Sequence, residues 1–411
     1  MLFIYNVIIL FAGFLLKIVA RFVPKIRLFV DGRKSVFATL SATIKPTDQV
    51  IWFHAASLGE YEQGLPLIEQ LKSTMPSHKI VLTFFSPSGF EIRKNNTLAH
   101  VTVYLPLDTA QNVSRFLDIV HPEMVFFIKY EFWPNYLHQL QNRNIKTYLV
   151  SGVFRDKQVF FRWYGDFYRK ALGAFTYFFV QNDSSKKLLK SIGFHNVKVS
   201  GDTRFDRVSS ILLQDNTLDF VQNFKNNTTT IVIGSSWPTD DKLLVPYINN
   251  SANVKFIMAP HNINQLQIND LKKSITKKTM LWSEKNDLDL ASFEVLIVDT
   301  IGILTKIYAY SDIAYVGGGY GSPGVHNILE PATFGVPIVI GSNYSHFAEA
   351  TALVHLGGCL SVSNQVELNE VLDSLLQNQD IRLEKGHICS TFVQMNSGAT
   401  HRIVSQLQAK S

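Results

Sequence analysis

From Gln49 onward the chain alternates short apolar runs, rich in β-branched and aromatic residues, with longer stretches whose apolar positions recur three and four residues apart. The first kind fits strands and the second amphipathic helices, so their alternation predicts strand–helix–strand units around parallel sheets. Strands are predicted at 50–55, 79–85, 101–105, 124–128, 146–150, 177–180 and 197–199, with helices at 62–75, 110–120 and 133–143 among them. The stretch 202–230 is polar, rich in asparagine and without strand pattern. Beyond it the pattern restarts, with strands at 230–233, 254–259, 295–298, 313–316 and 337–340. This predicts an α/β chain with two doubly wound, Rossmann-like domains, 35–206 and 230–411, joined by a linker at 207–229. Two such domains facing each other define a cleft, and open α/β sheets bind ligands beyond the carboxyl ends of their strands.

The first 34 residues stand apart from this pattern. Residues 1–20 are apolar except for Asn6 and Lys17, and basic residues follow at Arg21, Lys25, Arg27, Arg33 and Lys34. No basic segment precedes the run and no small-x-small cleavage site follows it, which favours a retained anchor over a signal peptide. Basic flanks on that side predict that the rest of the chain is cytoplasmic. Lys17 and Arg21 interrupt the run near the length a spanning helix needs, so spanning, lying in the interface and packing as a buried helix all stay open.

Composition sharpens the picture in three ways. Hydrophobic residues make up 46% of the 411 residues, enough for two cores and a membrane contact, which excludes a disordered chain. A formal net charge of +6 points to an acidic partner without choosing among nucleic acid, anionic lipid and a charged small molecule. The two cysteines, Cys359 and Cys389, have no histidine at ligand spacing, so neither a disulfide framework nor a zinc site is indicated.

Candidate chemistry gathers at two strand ends. The strand at 50–55 runs into His54-Ala55-Ala56-Ser57-Leu58-Gly59-Glu60, a turn of small residues before a helix expected to begin near Tyr61 or Glu62. A carboxylate there can accept a proton from a substrate hydroxyl, as a general base does. Glu60 can equally be a first-turn acid stabilised by the helix dipole. The strand at 313–316 runs into Gly317-Gly318-Gly319 and on through His326, Asn327 and Glu330. Asn327 and Glu330 have the spacing of a helix cap and its third residue, and such a helix start can hold an anion. The loop lacks the Gly-Lys-Ser/Thr of a P-loop and is not a clean GxGxxG fingerprint. A third stretch, Arg155 to Lys170, interleaves Arg155, Lys157, Arg162, Arg169 and Lys170 with Phe160, Phe161, Trp163, Tyr164, Phe167 and Tyr168. That mixture suits a phosphorylated lipid surface, or an amphipathic helix on its own domain; single-stranded nucleic acid fits less well beside an anchor.

These stretches, in this order, resemble the Kdo (3-deoxy-D-manno-octulosonate) transferase family. His54 to Glu60 is similar to its H-A-x-S-x-G-E, Tyr130-Glu131-Phe132-Trp133-Pro134-Asn135 to its E-x-W-P-N, and Gly201 to Asp206 to its G-x-x-K-F-D with Arg204 in place of lysine. Asp299-Thr300-Ile301-Gly302 resembles D-T-x-G, and Gly317-Gly318 through His326-Asn327 and Leu329-Glu330 resembles G-G…G-x-H-N-x-L-E. The resemblance implies a GT-B fold and an inverting transfer from CMP-Kdo to a lipid A precursor at the cytoplasmic face of the inner membrane. It further implies no metal, no cofactor and no nucleic-acid partner. On it Glu60 is the catalytic base and Glu131 a second carboxylate of the site. Ser235, Ser236, His261, Gly317, Gly318, Gly319, His326, Asn327, Glu330 and Arg204 bind the donor, and Ser57, Gly59, Arg155 and Arg162 lie on the acceptor and membrane side. Departures fall mainly on the donor side: Trp237 and His261 stand where the family has histidine and arginine, and His346 stands where it has asparagine. Ser151 and Val153 replace a family Asn-x-Arg element. A UDP-sugar transferase of the same fold, and a tethered nucleotide-binding protein without turnover, remain alternatives.

Overall fold

The computed structural model describes residues 1–286, 288–321 and 324–409; Ser322 and Pro323 of the glycine loop lie outside the described residues. The chain divides into two compact units, Met1–Arg207 with Ser397–Ser411, and Val208–Asn396.

The first unit is built on β1 (Val50–Ala55), β2 (Lys79–Phe84), β3 (Val101–Tyr104), β4 (Met124–Ile128), β5 (Lys146–Gly152), β6 (Tyr177–Val180) and β7 (Val197–Val199). The strands are parallel in the order β3-β2-β1-β4-β5-β6-β7. Such a sheet is covered on both faces, which is why β1 reads Val-Ile-Trp-Phe-His-Ala without alternation and is buried throughout. Trp52 on β1 is fully buried against the rings of Phe116, Phe127 and Tyr136, and its indole N–H donates to Thr83 Oγ1 at 2.8 Å. An aromatic of this size needs both the apolar contacts and the polar partner to be buried at no net cost.

The second unit contains β8 (Thr230–Ser236), β9 (Lys255–Pro260), β10 (Thr279–Leu281), β11 (Val295–Ile297), β12 (Ile313–Val316), β13 (Ile338–Gly341) and β14 (Cys359–Val362), parallel in the order β10-β11-β9-β8-β12-β13-β14. The first sheet's order reverses between β1 and β4 and the second's between β8 and β12, with β10 and β11 exchanged at the second sheet's edge. These two switch points are where an α/β sheet opens a crevice for ligand.

Twelve of the fourteen strands coincide, within a few residues, with the predicted runs. The two that do not, β10 and β14, lie at the edges of the second sheet and are only three and four residues long. The stretch 207–229 is not an open linker: a helix, Asp219–Lys225, buries Val221 and Phe224 in the second unit's core. Their three-residue spacing is a helical pattern hidden among asparagines. Residues from Ser397 onward, expected in the second domain, belong to the first. Asp206 holds them there: its carboxylate accepts the main-chain N–H groups of Gly398 and of Thr400, the latter at 2.7 Å, and the Thr400 hydroxyl at 2.8 Å.

The N-terminal run forms the helix Leu2–Val19, with a mean hydropathy of 2.4 over 18 residues and no fully buried residue. By length and composition it can cross a membrane; at about 1.5 Å per residue it spans slightly less than a typical ~30 Å hydrocarbon core. Its polar residues nevertheless touch the first unit. Tyr5 donates to Asp108 at 2.8 Å, and Asn6 exchanges side-chain hydrogen bonds with Asn135 and accepts from the Ala110 main chain. Cys359 and Cys389 are free and buried, and burial pushes both thiols above their ordinary range.

Candidate functional site

The first unit's switch point carries two carboxylates. The helix after β1 starts at Leu58, earlier than expected, with Ser57 as its cap residue, so Glu60 sits in its first turn. The Glu60 carboxylate reaches back to the Ala56 main-chain N–H at 2.5 Å, which ties the turn to the helix start. The stabilising role of a first-turn acid is therefore real, but a second property goes beyond it. Burial, with the neighbouring Glu131 charge, lifts the Glu60 carboxyl from 4.5 to about 7, against the pull of the Ala56 and Ser57 N–H groups and of Lys129. Gly59 has open space where a Cβ would stand.

Glu131 follows β4 and is held from behind. Trp133 Nε1 donates to Glu131 Oε2 at 2.8 Å, and His54 Nε2 lies 3.2 Å from the same oxygen. His54, fully buried, is fixed in turn by Thr83 Oγ1 at 2.8 Å from its Nδ1, and Thr83 receives the Trp52 indole N–H. A buried chain thus runs Trp52–Thr83–His54–Glu131. Lys129, between β4 and Glu131, adopts φ 69°, a left-handed conformation that is costly outside glycine and that recurs at functional strand ends. Thr83 and Lys129 are not singled out by sequence, and Tyr130 only as the residue that opens the stretch running to Asn135. Thr83 in particular is an ordinary strand residue until β2 is placed beside β1.

Arg155 and Arg204 belong to this unit as well. Both draw on the Tyr130 hydroxyl, which burial nonetheless pushes above its ordinary value. The Arg204 guanidinium is bound by Asp202 at 2.8 Å, so its first role is to brace the Gly201–Asp206 turn. The basic and aromatic stretch after β5 is not one amphipathic helix. Phe160 is buried, Arg162, Trp163 and Tyr164 are exposed, and the short helix Asp166–Leu172 follows; Phe167 meets the Tyr5 ring at 5.9 Å.

The second unit's switch point brings together Ser235, Ser236, Trp237, Gly317, Gly318, Gly319 and His326. Gly317 passes so close to β8 that a Cβ would lie 2.4 Å from the Ser235 carbonyl oxygen, and one at Gly319 would lie 2.6 Å from Gly341 Cα. Only glycine fits either place. Ser235, at φ 54°, turns the β8 end in the left-handed region. The loop is pinned by Asp240, wholly buried, whose carboxylate accepts the Gly318 N–H at 2.9 Å, the Trp237 N–H at 2.8 Å and the Tyr315 hydroxyl at 2.9 Å. His261 and Trp237 stack at 4.6 Å. The helix expected from Asn327 is a single turn, Leu329–Thr333. Glu330 is held between the Asn327 amide and the Thr305 hydroxyl, each at 2.9 Å.

Comparison with known proteins fits this geometry. Residues 32–207 match the family model described as 3-deoxy-D-manno-octulosonic-acid transferase. A 3-deoxy-D-manno-octulosonic acid transferase from Haemophilus influenzae is 27% identical over 380 residues, covering 88% of this chain and 87% of its own. One from Aquifex aeolicus is 26% identical, covering 84% and 91%. Among solved structures, the UDP-GlcNAc 2-epimerase of Neisseria meningitidis superposes with a TM-score of 0.61 at 15% identity, over 88% of this chain and 100% of that one. MurG from Acinetobacter baumannii does so with a TM-score of 0.56 at 12% identity, over 88% and 99%. These last two likenesses concern the GT-B fold alone. With both sheets, both switch points and the motifs that end on them accounted for, the chain is similar to 3-deoxy-D-manno-octulosonic acid transferases over most of its length, and to the model of that family over residues 32–207.

Proposed function

We propose that this chain transfers Kdo from CMP-Kdo to a hydroxyl of a lipid A precursor, inverting the anomeric centre, at the cytoplasmic face of the inner membrane. The observation that carries the reading is the half-buried Glu60 carboxyl, set beside Glu131 at the first sheet's switch point and tuned to about 7. A base that must be ionised near neutral pH, yet basic enough to take a hydroxyl proton, works best at such a value. Departure of CMP places negative charge on phosphate and positive character on the sugar. N–H groups of the glycine loop, with Ser235 and Ser236, are suited to the former. Glu330 holds the ribose hydroxyls, with Thr305 and Asn327 fixing its carboxylate.

The acceptor side rests on the first unit's outer features. Ser57 and Gly59 line the turn before Glu60. The apolar helix Leu2–Val19, the exposed Trp163 and Tyr164, and Arg162 together suit a bilayer surface bearing phosphate. A cavity of about 870 Å³ beside that helix is lined by Lys17, Arg21 and Arg27, by Lys34 paired with Asp31 at 2.7 Å, and by Leu16 and Leu107, a lining that combines charge with apolar contact.

Incubation with CMP-Kdo and a tetra-acylated lipid A precursor, followed by mass analysis, should show a product heavier by Kdo. A parallel reaction with UDP-sugars should show none, and transfer from UDP-sugar alone would sink the proposal. Because Glu60 must be ionised, turnover should rise as pH passes through about 7 and level off above it; a profile flat from pH 5 to 9 would remove Glu60 from the role. Glu330→Ala should weaken CMP binding by roughly tenfold, the worth of one or two hydrogen bonds to a charged acceptor, as calorimetry would read.

A further inference from the structure

Trp237, His261 and His326 lie together beyond the carboxyl ends of β8, β9 and β12. Trp237 Nε1 donates to His326 Nε2 at 2.8 Å, and the two rings are within 4° of coplanar with centroids 6.2 Å apart. Side-by-side and coplanar is the arrangement in which an N–H points along a ring nitrogen's lone pair. His261 then lies face-on across both, 4.6 Å from the Trp237 centroid at 19° and 4.4 Å from that of His326 at 21°.

The indole N–H can only donate, so His326 Nε2 must be bare and a neutral ring must carry its proton on Nδ1. Burial and the neighbouring His261 hold the imidazole below its ordinary pKa, against the weaker pull of Asp240, which keeps it neutral. The root of the side chain is fixed too: the His326 main-chain N–H donates to the Gly317 carbonyl at 3.1 Å. Its Cδ2 edge faces Gly318, 3.0 Å from where a Cβ would stand, so the opposite edge, bearing Nδ1, faces away from the loop. Among the described residues nothing hydrogen-bonds to Nδ1.

We propose that Trp237 is a positioning residue that locks His326 as the Nδ1–H tautomer, making His326 a neutral hydrogen-bond donor to a phosphate oxygen of the nucleotide sugar. The phosphate half of this rests on the donor-site reading above; the tautomer half does not. Isolated imidazoles favour the proton on Nε2, so the indole bond is what selects the other form. The arrangement also gives a use to Trp237, and to His261 where the resemblance leads one to expect an arginine.

The test is nitrogen NMR of the full chain labelled at histidine, with His326→Gln identifying the resonance, alongside donor kinetics of Trp237→Phe. Phenylalanine keeps the stack and removes the N–H. In the unsubstituted chain Nδ1 of His326 should carry the proton. In the variant the proton should move to Nε2, and the KM for CMP-Kdo should rise roughly tenfold, the worth of one hydrogen bond to a charged group, with a smaller loss in kcat. A proton on Nε2 in the unsubstituted chain would overturn the proposal whatever the variant does. So would a variant with unchanged tautomer and KM. If the unsubstituted chain shows Nδ1–H but binds no CMP, the phosphate role falls together with the donor-site reading, while the tautomer lock stands.

Discussion

Glu60→Gln is expected to lower turnover by ~10²–10⁴-fold, the range for a lost general base, with CMP affinity unchanged. Glutamine is the informative replacement because the structure gives Glu60 two tasks. Its side-chain oxygen can still accept the Ala56 N–H that anchors the helix start, so the turn should survive. What it cannot do is take a proton. A structural account of Glu60 predicts instead that Gln behaves almost as Glu does. Stability separates the two further. The folded carboxyl titrates at about 7 and an unperturbed one at 4.5, so across that window the unfolded chain has released a proton that the folded chain retains. Stability therefore falls as pH rises from the lower value to the higher and stays reduced above it. The variant, with nothing to ionise, should melt at or above the parent at pH 8 while having lost its turnover. Near-normal transfer by Glu60→Gln, or a lower melting temperature at pH 8 as the sole change, would refute the assignment.

That prediction was partly legible in the sequence, and the reason is local. At both switch points the chemistry follows directly on a strand: Glu60 lies five residues beyond β1, Glu131 three beyond β4, and Gly317 one beyond β12. A reader who finds the strands finds these residues. The donor-side letters were harder. His261 and Trp237 look like losses when read singly against the family pattern, and only the fold shows His261 stacked across Trp237 and His326, which are themselves hydrogen-bonded side by side. Partners that meet across long separations left no trace at all. Asp206 and Thr400 are 194 positions apart, and neither predicts that the last helix returns to the first unit. The helix within 207–229 is hidden for the opposite reason: it buries just Val221 and Phe224, too few apolar positions to stand out from the asparagines around them.

Asp240 is the residue that sequence reading had least means to find, and its loss should be the most damaging in the second unit. In the chain it is the third residue of a helix, Pro238–Asn250, where an acid is commonplace. Its burial is created by β12, which arrives 75 residues later and brings the Tyr315 hydroxyl and the Gly318 N–H to a carboxylate already holding the Trp237 N–H. Asp240→Ala strands three buried donors at once. At ~1–3 kcal/mol for each group left unpaired, less what relaxation and entering water recover, a loss of ~3–5 kcal/mol is expected. Asp240→Asn keeps an oxygen for the two main-chain N–H groups, and its amide can donate to Tyr315 if the hydroxyl turns, so about 1 kcal/mol should suffice. Because the carboxylate ties the glycine loop to β8, the alanine variant should lose CMP binding even where it stays folded, whereas the asparagine variant should keep most of it. Chemical denaturation and CMP calorimetry on the pair decide the matter. Equal, small losses in both would mean that the loop holds its shape without this carboxylate, and that the three hydrogen bonds follow the loop's conformation rather than set it.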